Sequence, residues 1–144
     1  MIYLFKNEHK WLSNFEPCEI ELHGNIYQSV ESAYQSEKSN NENWKRFCLN
    51  NSSRDVKIAS KKIKIRKDWN DVKLRIMENL LKQKFSKEPF KKLLLQTGDE
   101  NIVEGNYWND VEWGVDLTRS PNIGENHLGR IIMKIRDNLK ENKL

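Results

Sequence analysis

Glu31, Gln35 and Lys38 are spaced i, i+4 and i+7 in the stretch Val30-Glu31-Ser32-Ala33-Tyr34-Gln35-Ser36-Glu37-Lys38. On a helix that spacing lines a carboxylate, an amide and an amine along one face, beside the apolar stripe Val30, Ala33 and Tyr34. Two readings are open: a polar wall of a site, or a face on which Glu31 complements the helix dipole and Lys38 is a solvated lysine. A second concentration runs from Glu104 to Gly129, where Asp110 precedes Trp113-Gly114 in a polar stretch without sustained periodicity. A loop bearing Trp, Asp and Gly offers a stacking face, a carboxylate and a close backbone approach, the parts of a nucleotide-like pocket. The plainer alternative is a turn with a hydrophobic plug. Trp69, after Asp68, either anchors a helix or walls a pocket. Asn126 suits a helix N-cap, and Gly129 just inside that helix costs about 1 kcal/mol relative to Ala. A glycine there points to close approach of backbone or ligand. Trp11-Leu12-Ser13-Asn14-Phe15 and Arg66-Lys67-Asp68-Trp69 complete the clusters that helix or hairpin patterning alone does not select.

The elements that must position these residues are readable from periodicity. Glu19-Ile20-Glu21-Leu22 alternates, His23-Gly24 supplies a two-residue turn and Ile26-Tyr27 resumes the pattern, so a β-hairpin is expected. Ile2 to Phe5 reads as an edge strand. Ser29 is a plausible N-cap for a helix over 29–39, and further helices are expected over 41–50 and 55–62. Asp68, with Asp71 three residues on and Val72, Ile76, Met77, Leu80, Leu81 and Phe85 following, predicts an N-capped amphipathic helix to about residue 86. Pro89 suits the first turn of another, and Gly98 its end. A short strand is expected over 101–104. From Asn126, Leu128, Ile131, Ile132, Ile135 and Leu139 define a closing amphipathic helix. The class is α+β with helix dominating.

At 144 residues the chain is expected to be a single domain, 1–144. Its 25 Lys and Arg against 21 Asp and Glu leave +4. Five Trp, five Phe and four Tyr exclude a disordered chain, which would be poor in aromatics. The longest apolar run, Met1 to Phe5, falls far short of the roughly 20 residues that span a bilayer or the ~7 to 15 of a signal-peptide core. A soluble, cytoplasmic protein without a membrane partner is the expectation. Cys18 and Cys48 lack CxxC spacing, and His9, His23 and His127 lie far apart. Neither a disulfide framework nor a metal site is suggested.

Taken in order, WLSNF, SVESAYQSEK, RKDW, the Lys84-Phe85 pair, LLLQTGD, IVEG, the Asp110 to Gly114 segment, NHLG and IIMKIR resemble the YbiA/NADAR family, from Trp11 to about Arg136. The resemblance implies a compact, predominantly helical α+β domain with a small N-terminal sheet. It also implies cleavage of N-glycosidic bonds: removal of ADP-ribose from guanine bases, in DNA or nucleotide, or hydrolysis of phosphoribosyl-amine intermediates of riboflavin synthesis. By that resemblance Glu31, Lys38 and Asp110 are the catalytic positions. Asn14, Phe15, Gln35, Trp69, Trp113, Gly114, Asn126 and Gly129 are the substrate-binding ones. No cofactor and no metal is implied. The partner is an ADP-ribose-containing or phosphoribosyl small molecule, or ADP-ribosylated DNA. One departure is Val115-Asp116-Leu117, where the family is often Gly-rich.

Breaking a ribosyl C1′–N bond passes through an oxocarbenium-like state, which calls for negative charge near C1′ and an activated nucleophile. Glu31 and Asp110 are the carboxylates for that task. Lys38, desolvated, is the candidate amine nucleophile. Trp69 and Trp113 offer stacking faces worth about 1 to 3 kcal/mol each. A binding module that holds ADP-ribose without turnover is the alternative, for which the two tryptophans would suffice. Arg54 to Lys67, with seven basic residues and one acidic, is either a solvated face or a rim for phosphate.

Overall fold

The computed structural model describes residues 1–142, which group into two compact units, 14–84 and 1–13 with 85 onward. In the first unit the expected hairpin is present. Ile20–Leu22 (β1) and Asn25–Tyr27 (β2) pair antiparallel, Ile20 opposite Tyr27 and Leu22 opposite Asn25. His23 and Gly24 both take positive φ, 52° and 82°, as a tight turn matched to strand twist requires.

Val30–Ser36 (α1) follows, with the Ser29 hydroxyl accepting from Ser32 N at 3.1 Å. Every residue of this seven-residue helix is buried. An all-buried helix with five polar side chains can persist only if those groups find partners. Ser32 Oγ meets Ser53 Oγ at 2.9 Å, Ser36 Oγ donates to Ala33 O at 2.6 Å, and the Trp44 indole donates to Gln35 O at 2.9 Å. Trp44 comes from Glu42–Asn50 (α2), capped by the Asn41 side chain, and Ser53 opens Ser53–Ala59 (α3), capped by Ser52. A 3-10 turn, Ser60–Lys62, extends α3 to the expected end of that helix.

The long helix runs Trp69–Phe85 (α4), with Met77, Leu80, Leu81 and Phe85 buried. At its entry the Asp68 carboxylate is gripped by the Arg66 guanidinium, 2.6 and 2.9 Å. Lys84 on the same helix is fully buried, and burial lowers its pKa to about 8, while Cys18 and Glu16 work in the opposite direction.

In the second unit Asn7–Leu12 is a 3-10 helix, which periodicity did not announce. The expected strands at 2–5 and 101–104 are reduced to a single parallel bridge, Ile2 to Ile102, with Val103 N donating to Ile2 O and Gly105 N to Tyr3 O. The regular pair lies further on: Gly105–Asn106 (β3) and Val115–Asp116 (β4) run parallel. Phe90–Gln96 (α5) begins after Pro89 as expected, and Gly98 takes φ 63° just past its end. His127–Glu141 (α6) buries Leu128, Ile132 and Ile135. Arg136 is buried with them and donates to Thr97 Oγ1 at 2.9 Å. The α+β, helix-dominated reading holds.

Candidate active site

The structure collects the polar residues of α1 rather than exposing them. Glu31 sits in the first turn, 7% exposed, and Gln35 one turn on donates its side-chain amide to Glu31 Oε2 at 2.7 Å. Lys38 follows the end of α1, its carbonyl accepting from Arg66 N at 2.8 Å. Its ammonium lies 5.9 Å from the Tyr34 ring centre and 5.7 Å from that of Trp69. The two rings pack at 5.0 Å, and Trp69 is 9% exposed. The aromatics therefore strip water from the amine while offering it the electron-rich ring faces.

Burial is the main cause that holds the Lys38 pKa below its ordinary value. The Glu31 charge opposes the shift, and the like charges of Lys57 and Lys73 reinforce it. A lowered amine pKa enlarges the neutral, nucleophilic fraction near neutrality. The two other lysines gave no sequence signal, because charge neighbours across helices are set by packing.

Asn14 accepts from Glu31 N through its main-chain carbonyl at 3.0 Å, and its side-chain amide faces Met77 Sδ at 3.6 Å. Phe15 is 40% exposed with Lys57 Nζ 5.5 Å from its ring centre. So Asn14, Phe15, Glu31, Gln35, Lys38 and Trp69 belong to one unit, and all of these but Phe15 have contacts on α1 or at its end.

The remaining expected residues, Asp110, Trp113, Gly114, Asn126 and Gly129, belong to the other unit. Asp110 Oδ1 accepts from Glu112 N at 3.2 Å and Trp113 N at 2.9 Å, which fixes its carboxylate as the head of a turn. Trp113 is half-buried and meets the His127 ring edge-on at 6.2 Å. The close approaches that the glycines announce are to backbone and side chain of this unit. A Cβ on Gly114 would stand 1.8 Å from Glu104 Oε2, and one on Gly129 2.2 Å from Ile102 O. Asn126, at φ 54°, does not cap α6 with its side chain. Instead its amide bridges the chain at Ile102 and Glu104, donating to Ile102 O and accepting from Glu104 N, both at 3.0 Å.

One residue that carries this loop was not singled out from sequence. Asn106, fully buried, accepts from Asp110 N and donates to Asp110 O and Glu104 Oε2. Its sequence cue is only the IVEGN string, which has no periodicity to interpret. Cys48 is excluded as a nucleophile by the same physics that favours Lys38, since burial pushes its thiol up to about 12. Among the described residues no group of three or more His, Cys, Asp or Glu is placed to hold a metal, and no helix is long and apolar enough to cross a membrane.

Comparison with known proteins agrees with this fold. The solution structure of Escherichia coli YbiA, 26% identical, matches with a TM-score of 0.83 over 99% of this chain and 84% of that one. An N-glycosidase of Nostoc punctiforme is 30% identical over 96% of this chain and 92% of its own length. A riboflavin biosynthesis protein of Vibrio vulnificus is also 30% identical, but this chain spans only 39% of its length. Fold and buried polar helix together define an α+β domain of the YbiA type. Residues 3–140 match the NADAR domain, and the chain belongs to that family.

Proposed function

We propose that this chain is an N-glycosidase that hydrolyses a ribosyl C1′–N bond, with Glu31 and Lys38 at the reacting centre. The observation that carries the reading is a buried carboxylate on α1 and, just past the end of that helix, an amine beside an aromatic pair, its pKa lowered by burial. The names of the similar proteins support it: two are named N-glycosidases, and another is named a riboflavin biosynthesis protein.

The neutral Lys38 amine attacks C1′ as the C1′–N bond breaks, the departing nitrogen keeping the bonding pair and taking the proton that the newly cationic amine gives up. Glu31 supplies negative charge where C1′ becomes cationic. Opening of the sugar ring then gives a Schiff base, which water hydrolyses to the free sugar and the original amine. Trp69 provides an apolar wall that excludes water from the amine. The substrates that fit this chemistry are ADP-ribosylated guanine and the phosphoribosyl-amine intermediates of riboflavin synthesis.

Borohydride reduction during turnover should trap a covalent adduct on the wild-type chain and none on Lys38→Ala, read by intact mass. Turnover without a trappable adduct in either chain would remove the covalent step. ADP-ribose binding without release of base or sugar from any of these substrates would leave a binding module instead.

A further inference from the structure

Lys84 is a fully buried amine that the proposed chemistry leaves unused, and the chain around it brings a thiol into its surroundings. Residues 14–21 run beside the last turns of α4 and are tied to them at both ends. At one end the Asn14 side-chain amide faces Met77 Sδ at 3.6 Å. At the other the Gln83 side chain closes on the main chain of Glu21, accepting from Glu21 N at 2.6 Å and donating to Glu21 O at 2.9 Å. Met77 and Lys84 stand about two turns apart on one face of the helix. Cys18 lies between the two ties, its own N donating to Gln28 O at 2.9 Å. Burial holds the Lys84 pKa at about 8, against the nearby charges of Cys18 and Glu16, which work upward.

Part of that amine is therefore neutral and nucleophilic near neutrality. The two cysteines differ in what can reach them. Cys48 has no exposed surface, and burial pushes its thiol up to about 12. Cys18 keeps 8% of its surface and has a lysine for its charge neighbour, which favours the reactive thiolate.

We propose that Cys18 and Lys84 are a redox-sensitive pair, which a peroxide joins through a covalent sulfur–nitrogen bond. The Cys18 thiolate attacks a peroxide oxygen and the O–O bond breaks, so that sulfur is oxidised to a sulfenic acid while the peroxide is reduced to water. The neutral Lys84 amine then attacks the sulfur. The S–O bond breaks, and the departing hydroxide takes a proton from the nitrogen to leave as water. One thiol, one amine and one hydrogen peroxide thus give one sulfenamide and two waters. Two equivalents of a thiol reductant return both side chains and leave as a disulfide. The bond tethers residues 14–21 to α4, and that segment backs the site helix, because Asn14 O accepts from Glu31 N at 3.0 Å.

Peptide mapping of the wild-type full chain after exposure to hydrogen peroxide, digested without reductant, tests this before any variant is made. The expected product is one linked pair of peptides carrying Cys18 and Lys84, lighter than the two together by two hydrogen atoms. Dithiothreitol should restore both peptides, and Cys48 should stay unmodified. Cys18→Ser and Lys84→Met, each checked for folding by its thermal transition, should both lack the link, and in Lys84→Met the Cys18 sulfur should run on to sulfinic acid. Sulfinic or sulfonic acid at Cys18 with Lys84 unlinked in the wild-type chain overturns the proposal. So does a disulfide between two copies in place of the link, or preferential oxidation of Cys48.

Discussion

An ε-amine attacks a carbon only in its unprotonated form, so the reactivity of Lys38 is set by the groups that decide its charge. Burial lowers its pKa most, Glu31 raises it, and Lys57 and Lys73 lower it further. The sign for catalysis follows. On the proposed mechanism activity should rise with pH as Lys38 loses its proton, and a lowered pKa brings that rise to lower pH. Removing a like charge restores some affinity for the proton. In Lys57→Met the ascending limb of kcat/KM against pH should therefore move to higher pH, while the plateau at alkaline pH stays near the wild-type value. An unmoved limb would show that the group titrating in the profile is not Lys38. Lys57 also rests over the Phe15 ring, so a methionine keeps the apolar contact and isolates the charge.

At the scale of elements, periodicity located the helices and the hairpin to within a few residues, because those segments bury one apolar stripe and expose the rest. The site helix α1 is different. The spacing of Glu31, Gln35 and Lys38 was visible, but their burial was not, since a face of carboxylate, amide and amine reads as solvated until neighbours from α2 and α3 cover it. The loop 104–126 was the least readable stretch. It is shaped by buried Asn106 and by the left-handed Asn126, through side-chain to backbone bonds that leave no repeating pattern in sequence. Gly129 distinguishes local propensity from tertiary contact by sign. Helix propensity alone gives Gly129→Ala a gain of about 1 kcal/mol. The Ile102 carbonyl 2.2 Å from the new Cβ demands the opposite, a loss of about 1–3 kcal/mol from overpacking. A melting temperature several degrees below wild type is the expected result, and an increase would place the constraint on ligand rather than on Ile102.

Across the whole molecule, charge is unevenly spread, and its distribution bears on which of the two proposed substrate classes fits the chain. Arg54 to Lys67 carries seven basic residues and one acidic, an excess larger than the chain's entire net charge of +4, so the remainder is net acidic. Lys61, Lys62 and Lys64 are exposed. The segment lies in the same unit as α1, and Lys57 within it is close enough to be felt by Lys38. The reach of an exposed charge at physiological salt is about 8–10 Å, so a small phosphoribosyl amine held at Lys38 would sense the outer lysines weakly. A polyanionic strand extending from the site would engage them directly and release counterions, with a salt slope of roughly 0.7 to 0.9 per phosphate contacted. Replacing Lys61, Lys62 and Lys64 by glutamine should leave turnover of a phosphoribosyl-amine substrate and the melting temperature close to wild type. On an oligonucleotide carrying ADP-ribosylated guanine the same chain should show a raised KM and a shallower dependence of log KM on log salt, by up to about three contacts' worth. If both substrates respond alike, the lysines are a solvated face, and the unequal charge has no part in choosing between small-molecule and nucleic-acid substrates.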